Sequence, residues 1–91
     1  MTEINLKKVE IIFIGLKGSR SQYKIENINL LEQFRKNNVM TKKDMSNLIN
    51  IGLRSYEKIT YGKTIGLKCA RKLKKFLHNA WNNYNYRNSG D

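Results

Sequence analysis

The sequence predicts an α+β fold that is mainly helical, with an N-terminal β-hairpin followed by a bundle of about four helices. Three observations predict it. The run Val9-Glu10-Ile11-Ile12-Phe13-Ile14 is dense in β-branched residues and is followed by turn residues. From Leu30 onward apolar residues recur at helical spacing. Between them, Thr41 to Lys63 carries the start and stop signals of two short helices joined by a tight turn. Ninety-one residues suffice for one small domain whose core is marginal on its own. The expected organisation is a single domain over 1–91: a hairpin over 4–27, a helical bundle over 29–81, and a polar tail over 82–91.

In the hairpin, Val9 to Ile14 forms the first strand and Gly15 to Ser19 supplies the turn. Ser21 to Glu26 then alternates polar and apolar, with Tyr23 and Ile25 on one face. Ile12 and Ile14 project opposite to Ile11 and Phe13, so the first strand is apolar on both faces. That pattern suggests a strand in the interior or buried in a dimer. An isolated hairpin is marginally stable, so this one must lie on the helices or pair with a second copy of itself.

The first helix is expected to start at Asn29 with Glu32, to bury Leu30, Leu31 and Phe34, and to end near Asn38. Val39 and Met40 should pack under the next helix. Thr41 is a good N-cap, and Asp44 three residues on completes a capping box. Met45, Leu48 and Ile49 form an apolar stripe. Asn50 tolerates the left-handed conformation of a turn, Ile51 anchors that turn, and Gly52 caps the next helix. That helix runs from Leu53 to Tyr61 with Tyr56 and Ile59 facing inward, and Gly62 ends it. A last helix follows Thr64, with Leu67, Ala70, Leu73, Phe76, Leu77, Ala80 and Trp81 on one side. Lys68, Arg71, Lys72 and Lys75 fall largely on the other. Asn82 to Asp91 is polar and Asn-rich, and its last residues should fray.

The segment from Thr41 to Lys63 resembles the helix-turn-helix of the phage-repressor (Cro/Xre-like) DNA-binding family and aligns with its pattern without gaps. The family's Leu-Ala pair is Met45-Ser46 here. Its aliphatic is Ile49, its turn Gly-Val is Asn50-Ile51, and its small cap is Gly52. The polar start of the recognition helix is Leu53, Arg54 and Ser55. The inward aliphatic is Tyr56, the later Ile is Ile59, and the closing Gly-Lys is Gly62-Lys63. With Leu30 to Leu77 included, the resemblance covers about half the chain. Three positions depart from the family: Asn50 replaces Gly, Tyr56 replaces an aliphatic, and Thr60 replaces a Glu. The hairpin makes the whole winged helix-turn-helix-like, although a wing normally follows the recognition helix and here it precedes it.

The resemblance implies double-stranded DNA as partner. The first residues of the second helix would approach base edges in the major groove: Leu53, Arg54, Ser55 and Lys58. A guanidinium matches guanine O6 and N7 with two bonds, which singles out Arg54. Lys42, Tyr61, Lys63 and Lys68 would sit on phosphates and set the docking angle. The tip Leu16-Lys17-Gly18-Ser19-Arg20 is small and basic, so Lys17, Ser19 and Arg20 are candidates for a wing in the minor groove.

Charge agrees with that partner. There are 18 basic and 7 acidic residues, for a formal net charge of +11, and no Asp or Glu between Lys58 and Gly90. One-sided charge of this kind draws phosphate and releases counterions. No run is long enough to span a bilayer, and the start MTEINLKK lacks the apolar core of a signal peptide. The single Cys69 excludes an intrachain disulfide and suits a reducing cytoplasm. His78 has no ligand neighbours in sequence, and no phosphate loop, nucleophile motif or metal spacing is present. No cofactor, small-molecule ligand, metal or enzyme activity is expected. The expected function is a small transcriptional regulator of a phage, plasmid or low-GC bacterium, acting as a homodimer on repeated half-sites. Alternatives are an accessory protein at a plasmid origin of transfer or replication, recruiting a relaxase or initiator, and a helix-turn-helix interaction or inhibitor protein.

Overall fold

The computed structural model describes residues 5–90, with side chains described as far as Asn79. A single 3₁₀ turn, Leu6–Lys8, leads into β1, Glu10–Lys17, and β2, Arg20–Glu26, which pair antiparallel. Four helices follow: α1, Ile28–Asn37; α2, Lys42–Ile49; α3, Leu53–Thr60; and α4, Leu67–Gly90. The expected class, α+β and mainly helical with a hairpin ahead of the helices, is the observed one.

The hairpin is longer than its β-branched run. The strands continue to a two-residue turn, Gly18-Ser19, between the paired Lys17 and Arg20. Gly18 takes φ +65° and Ser19 does not take a positive φ, as a type II′ hairpin turn requires. Gly15, expected in the turn, lies instead within β1 at φ +139°, beside a bulge at Ile14. The bulge absorbs one extra residue, so pairing resumes beyond it.

One core joins all the elements. Leu6, Val9, Ile25, Leu31, Met45, Ile49, Ile51, Tyr56, Ile59, Ile65, Ala70, Leu73 and Phe76 are buried together. Burying each large apolar side chain contributes ~1.5–3 kcal/mol. Phe34 of α1 meets Phe76 of α4 edge to face, with ring centroids 5.9 Å apart. Ile25 of the hairpin lies in this core, and three hydrogen-bonded contacts tie the hairpin at its base and along β2. Asn27 Nδ2 donates to Lys8 O at 2.7 Å. Tyr23 and Ile65 exchange both backbone bonds at 2.9 Å. Thr64 Oγ1 donates to Gln22 Oε1 at 2.7 Å.

Each of the first three helices ends with a left-handed residue: Val39 at φ +55°, Asn50 at +71° and Gly62 at +77°. In each case the next residue's N–H reaches back five positions: Met40 to Arg35 O, Ile51 to Ser46 O, and Lys63 to Lys58 O. This closure satisfies carbonyls that the helix end leaves open. At α2 the expected capping box is present: Thr41 Oγ1 accepts from Asp44 N and Asp44 Oδ2 accepts from Thr41 N, both at 3.0 Å.

Several expectations are corrected. Val39 does not pack under α2. Its left-handed backbone turns the side chain outward, where it is 91% exposed; Met40 is half-buried. The buried face of α2 is Met45, Ser46 and Ile49, and Leu48 is half-exposed. At about 100° per residue, 45, 49 and 46 span one arc and 48 lies beyond its edge. Helix α1 begins at Ile28 behind a left-handed Asn27, not at Asn29, and Glu32 is engaged elsewhere. Helix α4 runs on to Gly90, through the stretch expected to be a polar tail. The expected anchors Ala80 and Trp81 have side chains outside the described set. Finally, β1 is not interior. It is an edge strand of a two-stranded sheet, with Phe13, Ile14 and Leu16 exposed by 55%, 53% and 67%.

A β-branched residue in the left-handed region is strained. Val39→Gly should therefore raise the free energy of unfolding by ~1 kcal/mol, strain relief exceeding the added freedom of the unfolded chain. Urea unfolding checks this: the midpoint should rise with an unchanged slope.

Candidate nucleic-acid interface

Helix α3 divides cleanly into two sides. At about 100° per residue, Leu53, Glu57, Tyr61, Arg54 and Lys58 follow one another around a single arc of about 140°. Leu53, Arg54, Lys58 and Tyr61 are exposed on it, and Glu57 is partly so. The opposite arc holds Ser55, Ile59, Tyr56 and Thr60, with Tyr56 and Ile59 fully buried. The three-residue turn Asn50-Ile51-Gly52 sets this side outward, because Ile51 is buried between α2 and α3.

Tyr56 fixes α3 against α1. Its hydroxyl donates to Glu32 Oε2 at 2.5 Å. Arg35 grips the same carboxylate with two bonds, Nε to Oε2 at 2.9 Å and Nη2 to Oε1 at 3.0 Å, and its Nη1 donates to Met40 O at 2.9 Å. The Arg35 hydrogen bond lowers the Glu32 carboxyl from its ordinary 4.5 to about 2; the Tyr56 hydroxyl and the Arg35 charge add to this, against burial. Burial, and then the bond to Glu32, hold the Tyr56 hydroxyl well above its usual range. The buried Tyr56 hydroxyl is thus accommodated by a partner 24 positions earlier in the chain.

Of the four expected base-contacting residues, the structure places Leu53, Arg54 and Lys58 on the open arc. Among the described residues Arg54 and Lys58 have no hydrogen-bond or ion-pair partner through their side chains. Ser55 is different: it is half-buried, and the Cys69 thiol of α4 donates to its Oγ at 3.4 Å. Lys42 and Tyr61, expected on phosphates, come together, with Lys42 Nζ 5.5 Å from the Tyr61 ring centroid. That cation–π contact joins the start of α2 to the end of α3. Lys63 and Lys68 are exposed on either side of the Thr64–Ile65 attachment to β2. Gln22, bonded to Thr64, is two residues from Arg20, so the hairpin tip begins about 7 Å from this attachment. Lys17, Ser19 and Arg20 are all exposed there.

Glu57 lies within the arc and is not among the contact residues that the sequence points to. Its signal was positional: it is four residues after Leu53 and three after Arg54. An open cleft of about 640 Å³ lies elsewhere, lined by the 3₁₀ turn, the hairpin and α4, with no residue of α2 or α3. No helix among the described residues is long and apolar enough to cross a membrane. No protein-family model, curated protein or solved structure matches this chain.

The Tyr56 cluster makes stability depend on pH in a defined direction. The lowered Glu32 carboxyl is ionised in the fold while the unfolded chain binds its proton, so stabilisation present above pH 4.5 is lost as pH falls toward 2. Denaturant midpoints of the wild type and of Glu32→Gln should converge over that window. Tyr56→Phe should lower stability by ~1.5–3 kcal/mol at neutral pH, the range for hydrogen bonds to charged groups, as read by thermal or urea unfolding.

Proposed function

We propose that this chain is a sequence-specific double-stranded DNA-binding protein that acts as a small transcriptional regulator. One observation carries the reading: the outward arc of α3 presents Arg54 and Lys58 without side-chain partners among the described residues, on a helix anchored from behind by Tyr56. In this reading α3 enters the major groove. Arg54 takes guanine O6 and N7 in two hydrogen bonds, Lys58 reaches a base or a phosphate, and Leu53 meets a thymine methyl. Glu57 accepts from a cytosine amino group. Lys42 and Tyr61 hold one phosphate position, and Lys63 and Lys68 hold others. Ser55 supports the helix through Cys69 and does not read bases. The tip residues Lys17, Ser19 and Arg20 reach the flanking minor groove; their closeness to the end of α3 through Gln22 and Thr64 supports this.

The net charge of +11 supplies the sequence-independent part of the affinity. The regulator role belongs to a promoter site. A site at an origin of transfer or replication would assign the chain to marking DNA for a relaxase or initiator.

Selection from random duplex DNA at ~150 mM salt tests the reading, because bare electrostatic binding is largely screened there. A repeated enriched motif supports it; binding that enriches nothing and fades with salt removes it. Arg54→Ala should weaken binding to the selected site by ~1–3 kcal/mol while leaving non-specific binding nearly intact. Titrations on selected and scrambled duplexes check this, and equal losses on both would reduce Arg54 to a phosphate contact.

A further inference from the structure

We propose that the free edge of β1 joins two copies of this chain, pairing antiparallel with the partner's β1 across a two-fold axis to form a continuous four-stranded sheet. The inner edge of the hairpin is occupied, since β2 exchanges backbone bonds with Ile65. The outer edge of β1 bonds to nothing among the described residues. Edge strands are normally guarded by charge, Pro or bulges, and of these the stretch from Ile11 to Leu16 has the bulge alone. Here six consecutive uncharged residues, Ile11 to Leu16, lie along the edge, and four of them are large apolar groups exposed to solvent.

The hairpin's own charges identify the occupant. Glu10 lies opposite Glu26 at its open end, and Lys17 lies opposite Arg20 at its tip. Like charges directly opposite one another repel. Among the described residues none of these four has an ion-pair partner. An antiparallel second β1 sets Lys17 of each copy beside Glu10 of the other. Each end of the sheet then reads, strand by strand, Glu26, Glu10, Lys17, Arg20, with anions meeting cations at the seam. A parallel pairing would place like beside like.

The bulge makes this register workable. In a regular strand, residues 10 and 17 point to opposite faces, because their separation is odd. The extra residue at Ile14 shifts the alternation, so that Glu10, Ile12, Gly15 and Lys17 share the face of Glu26, Lys24, Gln22 and Arg20. In the paired sheet Ile12 of one copy then lies over Gly15 of the other, where a Cβ would meet nothing within 4 Å. Ile11 meets Leu16 on the other face, and the exposed Phe13 and Ile14 converge at the axis. A closed two-fold contact of this kind is self-complementary and stops at two chains.

The test is sedimentation of the full chain without DNA, so that its outcome stands apart from the DNA reading. The wild type should dimerise in the micromolar range. Glu10→Lys and Lys17→Glu should each weaken dimerisation about tenfold or more, by setting like charges across the seam. Each also places opposite charges across the hairpin, so neither should lose the fold, which circular dichroism checks. An equimolar mixture of the two variants should recover the dimer, because the heterodimer restores attraction at both ends. A monomeric wild type, single variants that dimerise as well as the wild type, or a mixture that fails to recover would each overturn the proposal.

Discussion

The placement of the helices depends on one charge-assisted cluster, the Tyr56 hydroxyl with Glu32 and Arg35. Apolar burial drives the chain to collapse but is non-directional. The cluster adds direction. Tyr56 reaches from α3 to a carboxylate on α1, and Arg35 holds that carboxylate from both oxygens while also bonding the Met40 carbonyl between α1 and α2. A tyrosine buried here without its partner would leave a hydroxyl unsatisfied, at a cost comparable to a lost hydrogen bond. Among the described residues no buried side-chain polar atom lacks a partner. The angle at which α3 presents its outer arc therefore follows from electrostatics as well as from packing.

The hairpin obeys a second constraint. It is too small to stand alone, and it is fastened along β2 through Gln22 and Tyr23 and at its base through Asn27. All three attachments leave β1 outermost. The same fastening brings the tip close to the end of α3. One short element thus offers its tip in one direction and its edge in another, and the charges at its two ends are those that an antiparallel copy would complement.

Local chemistry was legible in the sequence wherever it acts over a few residues. Residue type and spacing point to the Thr41–Asp44 box, the Asn50-Ile51-Gly52 turn and the Gly62 stop, and the structure has them. What was missed acts over distance or against propensity. Nothing near Tyr56 announces a partner at Glu32, and nothing near Ser55 announces Cys69. Val39 is a poor residue for a left-handed position, so no sequence rule places it there. Gly15 looked like a turn because a glycine in a bulge and a glycine in a turn carry the same signal. Spacing alone puts Leu48 inward, yet which edge of an apolar stripe is covered depends on where the neighbouring helices lie. Of the site, the outward arc followed from the helix boundaries, while the withdrawal of Ser55 needed tertiary contacts.

The acidic residues explain how so few of them shape the surface. Glu32 is committed to Tyr56 and Arg35, and Asp44 to the N-cap of α2, where the Thr41 backbone hydrogen bond lowers its carboxyl. Glu10 and Glu26 sit together at the open end of the hairpin, at the opposite end from the basic tip. Glu57 alone stands among the cations of the α3 arc. A carboxylate there opposes the phosphate backbone of any nucleic acid, so it lowers sequence-independent attraction. On the proposed function it is therefore a term in discrimination: it loses less where a base offers an amino donor, and more everywhere else. A surface meant only to hold DNA by charge would gain from a neutral or basic residue at that position.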